Sequence, residues 1–278
     1  MDDRPIGMFD SGVGGLTVAR AVIDLLPGED LLYLGDTARG PFGPRDLAEV
    51  REFALEIVDW LVGQGVKMVV VACNTAAAAA LAEAQATFSV PILGVVEPGL
   101  RAGLRATTRR HVGMIGTAAT VESGAYEAAL ERMRSDVVLE SVACPRFVEF
   151  VESGETTGAA VAGVAAEYLA PLRSSGVDTL ILGCTHYPLL ARVISDAVGR
   201  DVTLISSADE TAFEVADIMS MTGTRRTPTT TTAGSHRFVC TGDTESFQRL
   251  GERFLGPEVA GVEHLEWSGR RGPGVSFR

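Results

Sequence analysis

Two stretches far apart in the chain are built on one plan: Gly65-Val66-Lys67-Met68-Val69-Val70-Val71-Ala72-Cys73-Asn74-Thr75 and Gly176-Val177-Asp178-Thr179-Leu180-Ile181-Leu182-Gly183-Cys184-Thr185-His186. They align without a gap, since 176 − 65 and 184 − 73 both equal 111. Each contains the short, continuous apolar run that a strand covered on both faces requires, and each passes at once into polar residues and a helical pattern. Such strands belong to parallel sheets, and in open α/β sheets ligands bind at the strands' carboxyl ends. Both runs end on a cysteine. The chain therefore brings two thiols to equivalent places, one per half, which suits a reaction needing the same group on both sides of a substrate.

Weaker echoes extend the repeat. Arg4-Pro5-Ile6-Gly7-Met8-Phe9 resembles Arg110-His111-Val112-Gly113-Met114-Ile115, and Asp30-Leu31-Leu32-Tyr33-Leu34 echoes Asp136-Val137-Val138-Leu139-Glu140, both at an offset of 106. Each half then reads as alternating strands and helices. Strands are expected near 5–10, 31–35, 66–72 and 91–96, and again near 111–116, 137–143, 177–183 and 202–206. Ala-rich amphipathic segments at about 14–26, 44–63, 75–88, 121–134, 155–174 and 187–199 supply the helices. That alternation predicts an α/β fold of two pseudo-symmetric domains with mostly parallel sheets. Further on, Asp209–Met221 reads as a helix and Thr222–Ser235 as a mobile loop. A strand near His236–Thr241, a helix near Thr244–Leu255 and a short strand near Val262–Trp267 follow, and the tail after Ser268 is expected to be disordered.

Composition narrows the function. The 278 residues suffice for two compact cores, and 46% hydrophobic with 22% charged residues is a globular balance. No apolar run is long enough for a membrane span, and the first strand begins too close to Met1 for a signal peptide. A cytoplasmic chain is expected. Cysteines at 73, 144, 184 and 240 show no zinc or disulfide spacing, so neither a metal nor a disulfide is expected. The net charge of −12 opposes nucleic-acid binding, which needs a basic footprint. A small anion remains open, because helix N-termini hold carboxylates without lysine. Of the 24 basic residues only Lys67 is a lysine, at the strand end opposite Cys73. A pyridoxal enzyme needs a Schiff-base lysine in its site. Lys67 is badly placed for that, and no cofactor is expected.

The motif Phe9-Asp10-Ser11-Gly12-Val13-Gly14-Gly15-Leu16-Thr17 joins the first strand to a helix. Its glycines allow a tight turn with exposed backbone donors, but their spacing is not that of a dinucleotide loop, and no Walker lysine follows. Asp10 on its own reads as the helix N-cap. Cys73-Asn74-Thr75 and Cys184-Thr185-His186-Tyr187-Pro188 both read as helix starts, where the dipole favours anions and a thiol's pKa can fall. His186, two residues from Cys184, is placed to act as a base or proton partner. A lone buried cysteine is usually inert; two in register point to function. Cys144 and Cys240 have no counterpart in the other half and read as structural.

Taken together, these motifs resemble the glutamate racemase family, within the cofactor-independent aspartate/glutamate racemase superfamily. Besides the Asp10 and two cysteine motifs, the matching pieces are Gly35-Asp36, Pro41-Phe42-Gly43, Val96-Glu97-Pro98, Cys144-Pro145-Arg146-Phe147-Val148 leading to Val151-Glu152, Thr241-Gly242-Asp243 and Phe254-Leu255-Gly256. The resemblance implies interconversion of L- and D-glutamate for peptidoglycan synthesis. It implies that Cys73, assisted by Asp10, deprotonates D-glutamate and that Cys184, assisted by His186, deprotonates L-glutamate, with Glu152 a further acidic residue nearby. It matches Asp10, Ser11, Phe42, Gly43, Asn74, Thr75, Thr185 and His186 to substrate-binding positions, and Thr117 and Thr120 to added hydroxyls. It also implies interleaved domains around an active-site cleft, 1–98 plus about 208–278 and about 99–207. A homodimer and DNA gyrase are partners it raises without deciding. An aspartate or hydantoin racemase of the same superfamily is the nearest alternative. One departure is Phe42, where the family usually has Tyr; a backbone contact survives that change and a hydroxyl contact does not.

Overall fold

The structure, a computed structural model, describes residues 2–226 and 233–267. Part of the expected 222–235 loop and the tail after 267 lie outside those residues. The first half runs β1 (Ile6–Asp10), α1 (Leu16–Leu25), β2 (Leu31–Gly35), α2 (Leu47–Gly63), β3 (Met68–Val71), α3 (Asn74–Thr87), β4 (Ile92–Gly94) and α4 (Val96–Ala106). The second runs β5 (His111–Gly116), α5 (Ala118–Glu122), α6 (Ala125–Arg132), β6 (Val138–Ala143), α7 (Arg146–Ser153), α8 (Ala159–Ser175) and β7 (Thr179–Gly183). A 3-10 turn (Tyr187–Leu190), α9 (Ala191–Val198) and β8 (Thr203–Ser206) complete it. Then come α10 (Ser207–Thr222), β9 (His236–Cys240), α11 (Thr244–Gly251) and β10 (Glu263–His264).

Two parallel sheets result, in the orders β10-β9-β2-β1-β3-β4 and β6-β5-β7-β8. The run β2-β1-β3-β4 has the same order as β6-β5-β7-β8, so the internal repeat is topological. It holds to the residue where the thiols are. Ile6 pairs with Met68 and Val112 with Thr179, and 112 − 6 = 106 while 179 − 68 = 111, the two offsets read from the sequence. The echo at Asp30 is out of step. Ile6 pairs with Leu31 but Val112 with Leu139, an offset of 139 − 31 = 108 where 106 was expected. A slip of two leaves every side chain on its own face, so the pattern survives the shift.

Some helices differ from the expectation. The segment expected as one helix over 155–174 is preceded by a separate one, α7, whose end at left-handed Gly154 breaks the run. α4 was not anticipated. Its Pro98 sits in the first turn, where no intrahelical donor is needed, but two glycines weaken its helical signature. Those glycines serve packing: a Cβ at Gly103 would lie 2.8 Å from Ile181 Cδ1, so α4 presses directly on β7.

Packing around the first sheet includes the last segment. Ala208, Ala212, Val215 and Met219 of α10 share a core with Leu16, Val18, Ala19 and Val22 of α1. β9 lies beside β2. At the foot of β3, Lys67 is fully buried, and its Nζ donates to Glu29 and to the carbonyls of Asp2 and Thr224. The equivalent foot of β7 carries the opposite charge. There Asp178 accepts from Thr107 Oγ1, Thr108 N, Thr108 Oγ1 and Arg109 N. Among the described residues no helix is long and apolar enough to cross a membrane.

Candidate active site

β1, β3 and β7 end at one place, and each delivers a reactive group at or just beyond its last residue: Asp10, Cys73 and Cys184. Cys73 is the N-cap of α3, a helix of 14 residues. Cys184 follows β7 in a bend, and only a four-residue 3-10 turn intervenes before α9. The expectation that both thiols sit at helix starts is therefore corrected for Cys184. Pro188 disfavours α geometry in the residue before it, and the tighter turn takes its place. Cys184 lacks the aligned peptides of a long helix and has an imidazole instead, with His186 Nδ1 3.8 Å from its sulfur.

The electrostatics follow from these neighbours. Burial, then the charge of Asp10, pushes the Cys73 thiol up to about 12, against the opposing donation from Ala76 N. The sequence expectation of a lowered thiol pKa is thus overturned at Cys73, where desolvation outweighs the helix terminus. Burial alone would push His186 down; hydrogen bonds to Cys184 and Glu152, with the charges of Cys184 and Asp10, raise it to about 10. Glu152 sits on α7, partly exposed, with Oε1 3.3 Å from His186 Nε2. Through His186 it is linked to the Cys184 thiol.

Asp10 is fully buried. Its Oδ1 accepts from Gly12 N at 2.9 Å and its Oδ2 from Thr185 Oγ1 at 3.2 Å. The N-cap of α1 is Gly15, so the capping role expected for Asp10 alone is not what the carboxyl does. Burial raises its pKa, opposed by the His186 charge and by these hydrogen bonds. Gly14 explains how the halves meet: a Cβ there would fall 2.4 Å from Thr185 Oγ1 and 2.5 Å from His186 Nδ1. No other residue fits at Gly14 without displacing both side chains.

Hydroxyls and amides surround the first thiol. The Cys73 thiol points to Ser11 Oγ at 3.9 Å. Thr75, Thr117 and Thr120 form a triangle of hydroxyls with edges of 3.0, 3.1 and 3.0 Å. Asn74 Nδ2 donates to Tyr126 Oη at 2.9 Å, while its buried Oδ1 has no partner among the described residues. Gly43 presses on Thr117, and its carbonyl accepts from Ala119 N at 3.3 Å. Phe42 is fully buried against Phe53, ring centroids 5.8 Å apart, so its ring is part of the core. A cleft of about 280 Å³ opens beside Ser11, Gly40, Pro41 and Glu152; neither thiol lines it, and both are buried. Cys144 and Cys240 lie in the cores, their thiols turned to backbone carbonyls.

Sequence reasoning missed Tyr126 and the need for glycine at 14. Tyr126 reads as an ordinary apolar position on a helix, and nothing in its spacing singles out the hydroxyl that meets Asn74.

Residues 15–215 match the family described as Asp/Glu/Hydantoin racemase. The chain belongs to that racemase family. A glutamate racemase from Beutenbergia cavernae is 54% identical over 272 residues, covering 94% of this chain and 93% of its own. A glutamate racemase isoform from Bacillus anthracis superposes with a TM-score of 0.91 at 43% identity, covering 96% of this chain and 99% of its own. A glutamate racemase from Francisella tularensis, solved in complex with D-glutamate, gives a TM-score of 0.90 at 32% identity, covering 97% and 100%. This racemase therefore shares with them the two-sheet architecture as well as the sequence.

Proposed function

We propose that this chain interconverts L- and D-glutamate, with Cys73 and Cys184 as the two acid/base groups. The observation that carries the reading is the pair of buried thiols at the ends of topologically equivalent strands, one in the field of Asp10 and the other beside His186. Inverting a stereocentre by proton transfer needs one group to take the α-proton and another, on the opposite face, to return one. In this reading Cys184, assisted by His186, takes the proton of L-glutamate while Cys73 donates from its thiol. The D isomer reacts in reverse, with Asp10 assisting Cys73. Glu152 holds His186, and Ser11, the backbone of Phe42, Gly43, Asn74, Thr75 and Thr185 hold the substrate. Asn74 Oδ1, buried and without a partner among the described residues, suits a substrate ammonium. Residues 1–98 with those from about 208 form one domain and 99–207 the other. The product serves peptidoglycan synthesis in a bacterial cytoplasm.

The test is α-deuterium uptake from heavy water into both isomers, with no cofactor added, followed by turnover on aspartate and hydantoins. Uptake into both glutamate isomers together with loss of optical rotation is expected. Faster turnover of aspartate would displace the glutamate reading.

A further inference from the structure

The loop over 36–45 touches the site on one side and the last described residue on the other. On the site side, a Cβ at Gly40 would lie 2.3 Å from the Ser11 carbonyl oxygen, and Gly43 presses on Thr117. On the far side, the Arg39 guanidinium is stacked between two rings, 4.3 Å from the Phe53 centroid and 4.5 Å from that of Trp267. Arg39 Nε donates to Asp36 Oδ2 at 2.7 Å, and the Arg39 carbonyl accepts from Arg45 Nε at 2.6 Å. Asp36 is fully buried, and its Oδ1 accepts from Thr241 Oγ1 at 2.8 Å and from Trp267 Nε1 at 3.1 Å. One indole thus engages both members of an ion pair, its face against the cation and its N–H toward the carboxylate. Leu265 N, donating to the Cys240 carbonyl at 2.8 Å, anchors the chain two residues before it.

An indole near the end of a chain most often only covers apolar surface. Here its donor goes to a buried carboxylate, and the ring opposite it, Phe53, is the one that Phe42 packs on. Trp267, Arg39, Phe53 and Phe42 form a continuous line of contact from the end of the described chain to the loop at the site.

We propose that Trp267 is a positioning residue for substrate binding: through Arg39 and Asp36 it holds the 36–45 loop in the shape that receives substrate. This rests on the reading of Phe42 and Gly43 as substrate-binding positions. A cation stacked between two rings is held in one orientation. Without the indole, the cost of ordering the loop falls on substrate binding.

The experiment compares KM and kcat for both glutamate isomers in Trp267→Ala, Trp267→Phe and Arg39→Lys. Trp267→Ala is expected to raise KM about tenfold for both isomers, with kcat within about threefold. Arg39→Lys, which keeps the charge but not the planar stack, should do the same and carries the test should Trp267→Ala fail to fold. Trp267→Phe restores a ring over Arg39 and should recover most of the KM. A role in folding alone would lower melting temperature and active fraction, hence apparent kcat, and leave KM unchanged; that outcome overturns the proposal. Gly43→Ala separates the two readings. If it raises KM while a folded Trp267→Ala does not, the loop reading stands and the proposal for Trp267 fails; if neither does, both fail.

Discussion

Cys73 lies in the field of a carboxyl, Asp10, whereas Cys184 has the imidazole of His186 3.8 Å from its sulfur. The strands that deliver them pair in the same register, yet the groups around the two sulfurs differ in sign. Duplication accounts for where the thiols are, and unmatched neighbours, with burial, account for the raised pKa of Cys73. With Cys73 raised to about 12 and His186 to about 10, neutral pH leaves a thiol at 73 and an imidazolium 3.8 Å from the Cys184 sulfur. The feet of the same strands repeat the lesson, with a lysine at 67 and an aspartate at the matching 178.

The largest effects should come from the sulfurs. Cys73→Ala and Cys184→Ala should each lower racemisation by about 10³-fold or more. Enantiomers are equally stable in water, so kcat/KM must stay equal in the two directions in every variant. The asymmetry shows in exchange: Cys73→Ala should still exchange the α-proton of L-glutamate slowly, and Cys184→Ala that of D-glutamate. Exchange favouring the reverse isomers would break the comparison.

Thiol reactivity should sharpen it. At pH 7.5, iodoacetamide should modify Cys73 more slowly than Cys184 by about tenfold, judged by mass spectrometry of the peptides, because burial and the charge of Asp10 keep Cys73 protonated and the thiolate is the nucleophile. His186→Asn, which removes the cation 3.8 Å from the Cys184 sulfur, should narrow that gap from the Cys184 side. In the native protein the His186 imidazole should titrate near 10 by NMR; a midpoint at or below 6.5 would mean that burial prevails over its partners.

The strand feet predict smaller effects, on stability. Lys67→Met leaves Glu29 buried without its cation and should cost about 3–5 kcal/mol in denaturant unfolding. Lys67→Arg, harmless if only a cofactor lysine is in question, must fit a longer side chain into a fully buried site and should lower the melting temperature without changing KM. Asp178→Ala should cost about 2 kcal/mol, since its donors are nearer water. Burial opposes ionisation of Asp178, but its four hydrogen bonds hold the carboxyl well below the usual carboxylate range. Its stabilisation is therefore present above about pH 4 and fades as the pH falls further. The gap between wild type and Asp178→Ala should narrow in acid; a gap that widens would reverse the assignment.

Smallest should be Phe42→Tyr, with a change in kcat/KM of less than about tenfold. The ring is fully buried against Phe53, so a hydroxyl added to it would enter the core.

What the sequence made legible follows the physics of each signal. Fully buried strands such as Val69–Val71 and Leu180–Leu182 announce themselves by continuous apolar runs, and the cysteines follow from their ends. α4 stayed hidden because Gly99 and Gly103, kept small for contact with Ser207 and Ile181, weaken the helical signature. The raised pKa of Cys73 was illegible for another reason. Burial of Cys73 and the approach of Asp10 depend on contacts between segments far apart in the chain. Gly14 is the same case: its need to be glycine lies in Thr185 and His186, more than 170 residues away.

The buried Lys67 also makes the first sheet its own reporter. A protease restricted to lysine has one bond to cut in the whole chain, Lys67–Met68, at the foot of β3, which lies between β1 and β4. The bond is out of reach until that strand leaves the sheet. Where cleavage is slow relative to reclosing, the appearance of fragments of 67 and 278 − 67 = 211 residues measures the population of molecules in which the six-stranded sheet has opened. Substrate that binds the closed form should slow that cut in proportion to its occupancy.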